Sequence, residues 1–231
     1  MGATLGQKSI VRDGLVLYLD AGNPSSYIGS GTAWKDLSGN GHTGTIDGAT
    51  FNTGNQGVFD FDGTNDHVDI TSSSDFTFGT GDYTISYWIN FDSVNSTETM
   101  LDLRNSYSGS SNDGYADYYQ DSSGIKYKSW SNVSSNYYTS TASFSTGIWY
   151  NVTALRDDGT FKLYINGSLD GSTSNTNNFP GTKCTFGWNV SNNSGRSIDG
   201  QTSLLLIYKG KALTGEEVKQ NYNAFRTRYG L

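Results

Sequence analysis

The chain has 231 residues, a formal net charge of −7 and a single cysteine. That length fits one large domain and buries enough surface to fold without disulfides. The acidic balance argues against nucleic acid as a partner, because phosphate binding needs clustered cations. No apolar run is long enough to span a membrane.

The first residues, 1–8, lack the apolar core of a secretion leader, and Gly6 stands where a myristoylation signal needs Ser or Thr. The expectation is a chain made in a reducing cytoplasm, with Cys184 a small core residue.

Gly, Ser, Thr, Asn, Asp and Tyr dominate the composition, and glutamate occurs only at Glu98, Glu216 and Glu217. Turn formers and β-prone aromatics therefore outweigh helix formers. In chain order the first expected strand is 14–20 (GLVLYLD). Strands at 58–61 and 67–70 flank the turn 62–66. The run 83–91 alternates cleanly, with Tyr83, Ile85, Tyr87, Ile89 and Phe91 on one face and Thr84, Ser86, Trp88 and Asn90 on the other. Further strands are expected at 99–104, 114–120, 125–130, 136–142 and 148–156. Asp157-Asp158-Gly159 turns into a strand at 160–165, and Asn166-Gly167 makes the next hairpin. Strands at 183–188 and 202–209 complete the set.

The segment 105–145 is the most polar and tyrosine-rich, suited to long loops and edge strands. One helix is expected at 214–229. Thr214-Gly215-Glu216-Glu217 forms a capping box, and Val218, Tyr222, Phe225 and Tyr229 recur at helical spacing. Gly230 can close it. Many short strands separated by turns make this an all-β sandwich of two antiparallel sheets with a short C-terminal α-helix, in a single domain covering 1–231.

Five segments carry a family resemblance: WKDLSGNGHTGT at 34–45, FDFDGTNDHV at 59–68, YTISYW at 83–88, FKLYING at 161–167 and IYKGKALTGEEVKQNY at 207–222. Their order and spacing resemble the laminin G-like branch of the concanavalin A-like lectin/glucanase superfamily, which implies a jelly-roll sandwich. The opening GLVLYLDAGNPSSY and closing NYNAFRTRYGL look like the version common in structural proteins of marine bacteriophages. That resemblance implies a non-catalytic virion structural or decoration protein. It would be displayed on the particle surface, assembled in the host cytoplasm, and partnered by other capsid or tail proteins or by copies of itself. The alternative is an extracellular carbohydrate-binding adhesin that contacts host surface glycans.

Catalysis is not expected. Glycosidases of this superfamily need two carboxylates close together, yet Glu98 lies in a polar turn and Glu216 and Glu217 belong to the helix cap. His42 and His67 are too few for zinc and read as satisfied or exposed histidines. The resemblance does suggest one structural Ca2+, held by Asp36, Asn40 and Asp199 with carbonyls from 39 to 42. The competing reading is that these aspartates cap backbone amides in their own turns. For glycans, aromatic faces are the natural platforms: Trp88 on the polar face of its strand, and Tyr119, Tyr127 and Trp130 from the tyrosine-rich middle. The competing reading places such rings in the core.

Overall fold

The computed structural model describes residues 9–94, 97–104, 115–121, 124–130, 135–188 and 196–231, and for 115–121, 124, 126–130 and 135–137 the backbone alone. The strands are β1 (Leu15–Asp20), β2 (Ala33–Trp34), β3 (Gly44–Asp47), β4 (Thr50–Asn52), β5 (Val58–Asp62), β6 (His67–Ile70), β7 (Tyr83–Phe91) and β8 (Glu98–Asp102). They continue with β9 (Tyr115–Asp121), β10 (Gly124–Trp130), β11 (Ser135–Thr139), β12 (Trp149–Asp157), β13 (Thr160–Ile165), β14 (Ser168–Ser174), β15 (Cys184–Phe186) and β16 (Asp199–Lys209). The helix α1 (Gly215–Phe225) follows and tightens into a 3-10 turn over Arg226–Tyr229.

The strands form two antiparallel sheets. The first runs β14-β13-β12-β7-β16-β5-β4, with β1 also on β16; the second runs β11-β10-β9-β8-β15-β6-β3-β2. Between them lies an aromatic-rich core that includes Leu19, Trp34, Phe59, Phe61, Val68, Tyr87 and Phe186. Both expected hairpins form with left-handed residues at both central positions: Asp158 and Gly159 (φ 45° and 72°), and Asn166 and Gly167 (φ 51° and 75°). This twist matches the flanking strands. Gly167 has a second reason to be glycine, since a Cβ there would come within 3.0 Å of the Tyr222 ring. The hairpin strand β14 and the short strands β2, β3 and β4 were not expected from the sequence: β14 is polar throughout most of its length, and the other three are only two to four residues long, too short to show a period.

The capping box is present: the Thr214 hydroxyl accepts from the Glu217 amide at 3.2 Å, and the Glu217 carboxylate accepts from the Thr214 amide at 2.9 Å. Helix α1 lies on the outer face of the first sheet, where a second apolar cluster joins Trp88, Leu206, Tyr208, Val218 and Tyr229. The change to 3-10 geometry after Phe225 brings Tyr229 under the helix end, where its ring stacks on Trp88 at 4.1 Å.

Two polar devices lock the ends of the sandwich. Arg156 is fully buried, and its guanidinium donates to the carbonyls of Gly79, Gly81 and Asn177 while lying about 5 Å from the ring centres of Tyr83 and Phe179. Asp170 on β14 accepts from the Tyr138 hydroxyl (2.9 Å) and from the amide and hydroxyl of Thr141. It thereby ties the edge of the first sheet to the end of β11 in the second. Burial works to raise the Asp170 carboxyl, but these hydrogen bonds prevail and hold it below its ordinary range.

Candidate functional site

The two sheets differ in what covers them. On the first, β7 is buried on both faces. Trp88 is fully buried, with the Tyr222 ring stacked on it at 5.6 Å and the Tyr229 ring at 4.1 Å. It therefore cannot present a ring to a sugar. The sequence separated the two faces of β7, and of its two readings for Trp88 the burial in a core, not the sugar platform, is the one the helix realises.

The proposed calcium ligands do not meet. Asp36 Oδ1 accepts from the Tyr18 amide at 2.9 Å and the Ser38 amide at 2.8 Å, and Oδ2 accepts from the Ser38 hydroxyl and the His42 amide. Burial alone would raise this carboxyl, and the hydrogen bonds outweigh it and hold it low. Asn40 donates its amide to Val16 O and Ser38 Oγ, which pins the same turn to β1. Tyr18 lies opposite Leu206, whereas Asp199 lies opposite Asp62 at the other end of β16. That separation is roughly 20 Å along the strand. The residues present do not fit a shared ion, and no three His, Cys, Asp or Glu groups among the described residues form a metal cluster. Asp199 instead sits beside Glu98, whose carboxylate accepts the Asp199 amide at 3.2 Å. Glu98 thus begins β8 as a buried residue, not in an exposed turn.

Among the described residues, no α-helix packs on the outer face of the second sheet. Alternation along β3, β6 and β15 sends Ile46, Val68, Ile70, Cys184 and Phe186 into the core and leaves Thr45, Asp47, His67, Asp69 and Thr185 facing outward. Register aligns these across the sheet. Thr45, Asp69, Thr185, Asp102 and Asp117 are successive partners, and the row continues through Lys128 to Tyr137. In the backbone register position 119 pairs with 126, position 127 with 118 and 138, and position 130 with 115 and 135; the side chains of Tyr119, Tyr127 and Trp130 lie outside the described residues.

At the β3-β6-β15 end the outward face has a built centre. The Thr185 hydroxyl donates to Asp69 Oδ1 at 2.8 Å. His67 Nε2 lies 3.5 Å from Asp69 Oδ2 and 4.0 Å from Asp47 Oδ2, while Nδ1 bonds the Asn65 carbonyl at 2.8 Å. The half-buried Trp188 ring packs on the His67 ring at 4.7 Å. The hydrogen bond to Asp69 raises the His67 imidazole above its ordinary value despite burial, and the same bond lowers the Asp69 carboxyl. Beside this pair lies an open depression of about 370 Å3, lined by Thr45, Asp69, Thr71, Ser72, Lys183 and Thr185. The arrangement offers a carboxylate that accepts hydroxyl protons, an ammonium and hydroxyls that donate, and an aromatic edge. The HVDI alternation carries a signal for the histidine and the carboxylate, but nothing in the sequence brings Trp188 or Lys183 alongside.

Residues 62–219 match the family model described as the concanavalin A-like lectin/glucanases superfamily, in its laminin G type. The chain belongs to this family. Among solved structures, the superfamily fold is shared with the binding domain of Paraclostridial Mosquitocidal Protein 1 (20% identity, TM-score 0.70, covering 93% of this chain and 53% of that one). Domain 4 of AbnA, an extracellular arabinanase from Geobacillus stearothermophilus, in complex with arabinotriose, matches at 18% identity and TM-score 0.69, over 90% and 98% of the two chains. The botulinum neurotoxin serotype D ligand binding domain in complex with N-acetylneuraminic acid matches at 20% identity and TM-score 0.66, over 92% and 51%. This lectin-like chain spans about half the length of the toxin domains it matches. The search of curated proteins returned no match.

Proposed function

We propose that this domain is a non-catalytic glycan-binding module that contacts sugar through the open face of its second sheet, at the depression beside His67 and Trp188. The observation that carries this reading is the contrast between the sheets: helix α1 buries the outer face of the first, while the second presents a polar row beside a partly exposed tryptophan. The carboxylate, ammonium and hydroxyl groups of the depression suit the hydroxyl edges of a ligand, and the Trp188 ring on the neighbouring His67 offers an apolar face. Fold relatives solved with arabinotriose and with N-acetylneuraminic acid support a sugar as the ligand class. The non-catalytic part rests on the glutamates: Glu98 is buried against the Asp199 amide, and Glu217 is engaged in the helix cap.

The setting we propose is the surface of a bacteriophage particle, with other virion proteins or copies of this chain as neighbours and host glycans as the target. Its support is the resemblance of the opening and closing segments to marine phage structural proteins. Mass spectrometry of purified particles tests it: the protein among particle components is the expected result, and its absence overturns the setting while leaving the glycan reading intact. For the glycan reading, a glycan array probed with the full chain is expected to give signals that Asp69→Ala removes while the domain stays folded. A blank array, or signals untouched by Asp69→Ala, overturns the assignment.

A further inference from the structure

A second cavity lies on the opposite side of the molecule, in the seam between helix α1, the end of β1 and the chain entering from residue 9. Its volume is about 390 Å3. Its lining mixes apolar side chains, Ile10, Pro24, Ala224 and Phe225, with polar ones, Arg12, Asp20, Asn23, Gln56 and Arg228. That mixture suits a pyranose-sized ligand, which carries C–H faces as well as hydroxyls.

The charged groups are held in place. Arg228 and Asp20 are paired at 2.6 Å, with side chains only 6% and 8% exposed. The same guanidinium donates to the carbonyls of Asn55 and Gly57 at 2.6 Å. It thereby clamps a loop in which Asn55 and Gln56, neither of them glycine, both have positive φ (48° and 68°). Consecutive left-handed non-glycine residues persist only where the surroundings enforce them, and such strain gathers at ligand sites. Asp20 Oδ2 receives the Tyr18 hydroxyl at 3.3 Å, a long bond that leaves this oxygen able to accept from a ligand hydroxyl. Arg12 is exposed at the mouth, its guanidinium 5.2 Å from the Tyr18 ring centre, and its hydrogen bond to Leu37 O is 3.4 Å long.

Two guanidiniums against one carboxylate give these walls a net positive charge, in a chain whose net charge is −7. We infer that the cavity is a second ligand site that takes an acidic monosaccharide. Its carboxylate meets Arg12, its hydroxyls meet Asp20, Asn23 and Gln56, and its apolar face meets Phe225. This site lies on the helix-covered sheet, so its fate is independent of the glycan surface proposed above.

Titration calorimetry of the full chain with glucuronate, glucose and inorganic phosphate, together with amide NMR shifts, tests the inference. Glucuronate is expected to shift the amides of Gly22, Asn23 and Gln56 and to bind at least about tenfold tighter than glucose, the increment of one charge-assisted pair. Arg12→Gln should lose about that factor, whereas Asp69→Ala should leave glucuronate binding unchanged. Arg12 is exposed and its hydrogen bond to Leu37 O is long, so R12Q is expected to melt close to the wild type. Absence of shifts around the cavity, equal affinity for glucose, full affinity in R12Q, or phosphate binding as tightly as glucuronate would each overturn the inference.

Discussion

Two tryptophans mark the difference between the sheets. Trp88 sits on the outer face of the first sheet and Trp188 beside the outer face of the second. Trp88 is stacked with two tyrosine rings and wholly buried, while Trp188 stays half-exposed against His67. The same residue type serves stability in one place and is available for recognition in the other. What separates them is the C-terminal helix, which buries apolar surface on one sheet only. A sandwich needs one face of each sheet for its shared core; the remaining faces are free for other roles, and this chain has closed one of them.

The largest expected effect tests the closed face. Trp88→Ala should cost about 3–5 kcal/mol of unfolding free energy, because it leaves a cavity beneath Tyr222 and Tyr229. Urea denaturation would measure it, and a loss near zero would mean that the helix does not pack as described. Trp188→Ala should leave stability almost unchanged and weaken glycan binding by about 2 kcal/mol, as expected of an aromatic anchor in an interface. If it instead unfolds the domain, the two faces are not functionally distinct.

A smaller effect belongs to the helix itself. Thr214→Ala removes the hydroxyl that accepts the Glu217 amide and should cost about 1 kcal/mol in the same denaturation assay.

The smallest prediction concerns pH on the open face. His67 has its imidazole raised by Asp69, so its contribution is complete below its ordinary value of 6.5 and fades as pH rises through the higher folded value. Asp69 is lowered by the same bond, so its contribution is present above 3.8 and fades as pH falls through the lower folded value. The wild type should therefore be most stable relative to His67→Gln between these two ordinary values. Asp69 is well exposed and solvent screens the pair, so the advantage should be about 0.5 kcal/mol. Melting temperatures across pH would reveal it, and a difference that does not vary with pH would remove the ion pair from the account.

Local chemistry was readable wherever neighbouring residues in the sequence are also neighbours in space. The Thr214 cap, the two left-handed hairpin turns and the alternation of β7 all involve residues a few positions apart. The Asp36 turn was also legible as an aspartate capping its own amides, although the resemblance pointed to calcium. Polar strands such as β14 left no signal, because their pairing is set by β13 and not by an apolar stripe of their own.

The sequence by itself determined the class of fold, since period-two apolar patterns interrupted by turn residues admit two stacked sheets and little else. Only tertiary structure decided which outer face stayed open. That choice depends on where α1 docks, more than a hundred residues in sequence from Trp88. It also set the distance between Asp36 and Asp199, gathered Asp69, Lys183 and Thr185 around one depression, and laid the Trp188 ring on His67. Alternation can say that a residue faces away from the core; whether solvent or a distant helix meets it there depends on packing between elements remote in the chain.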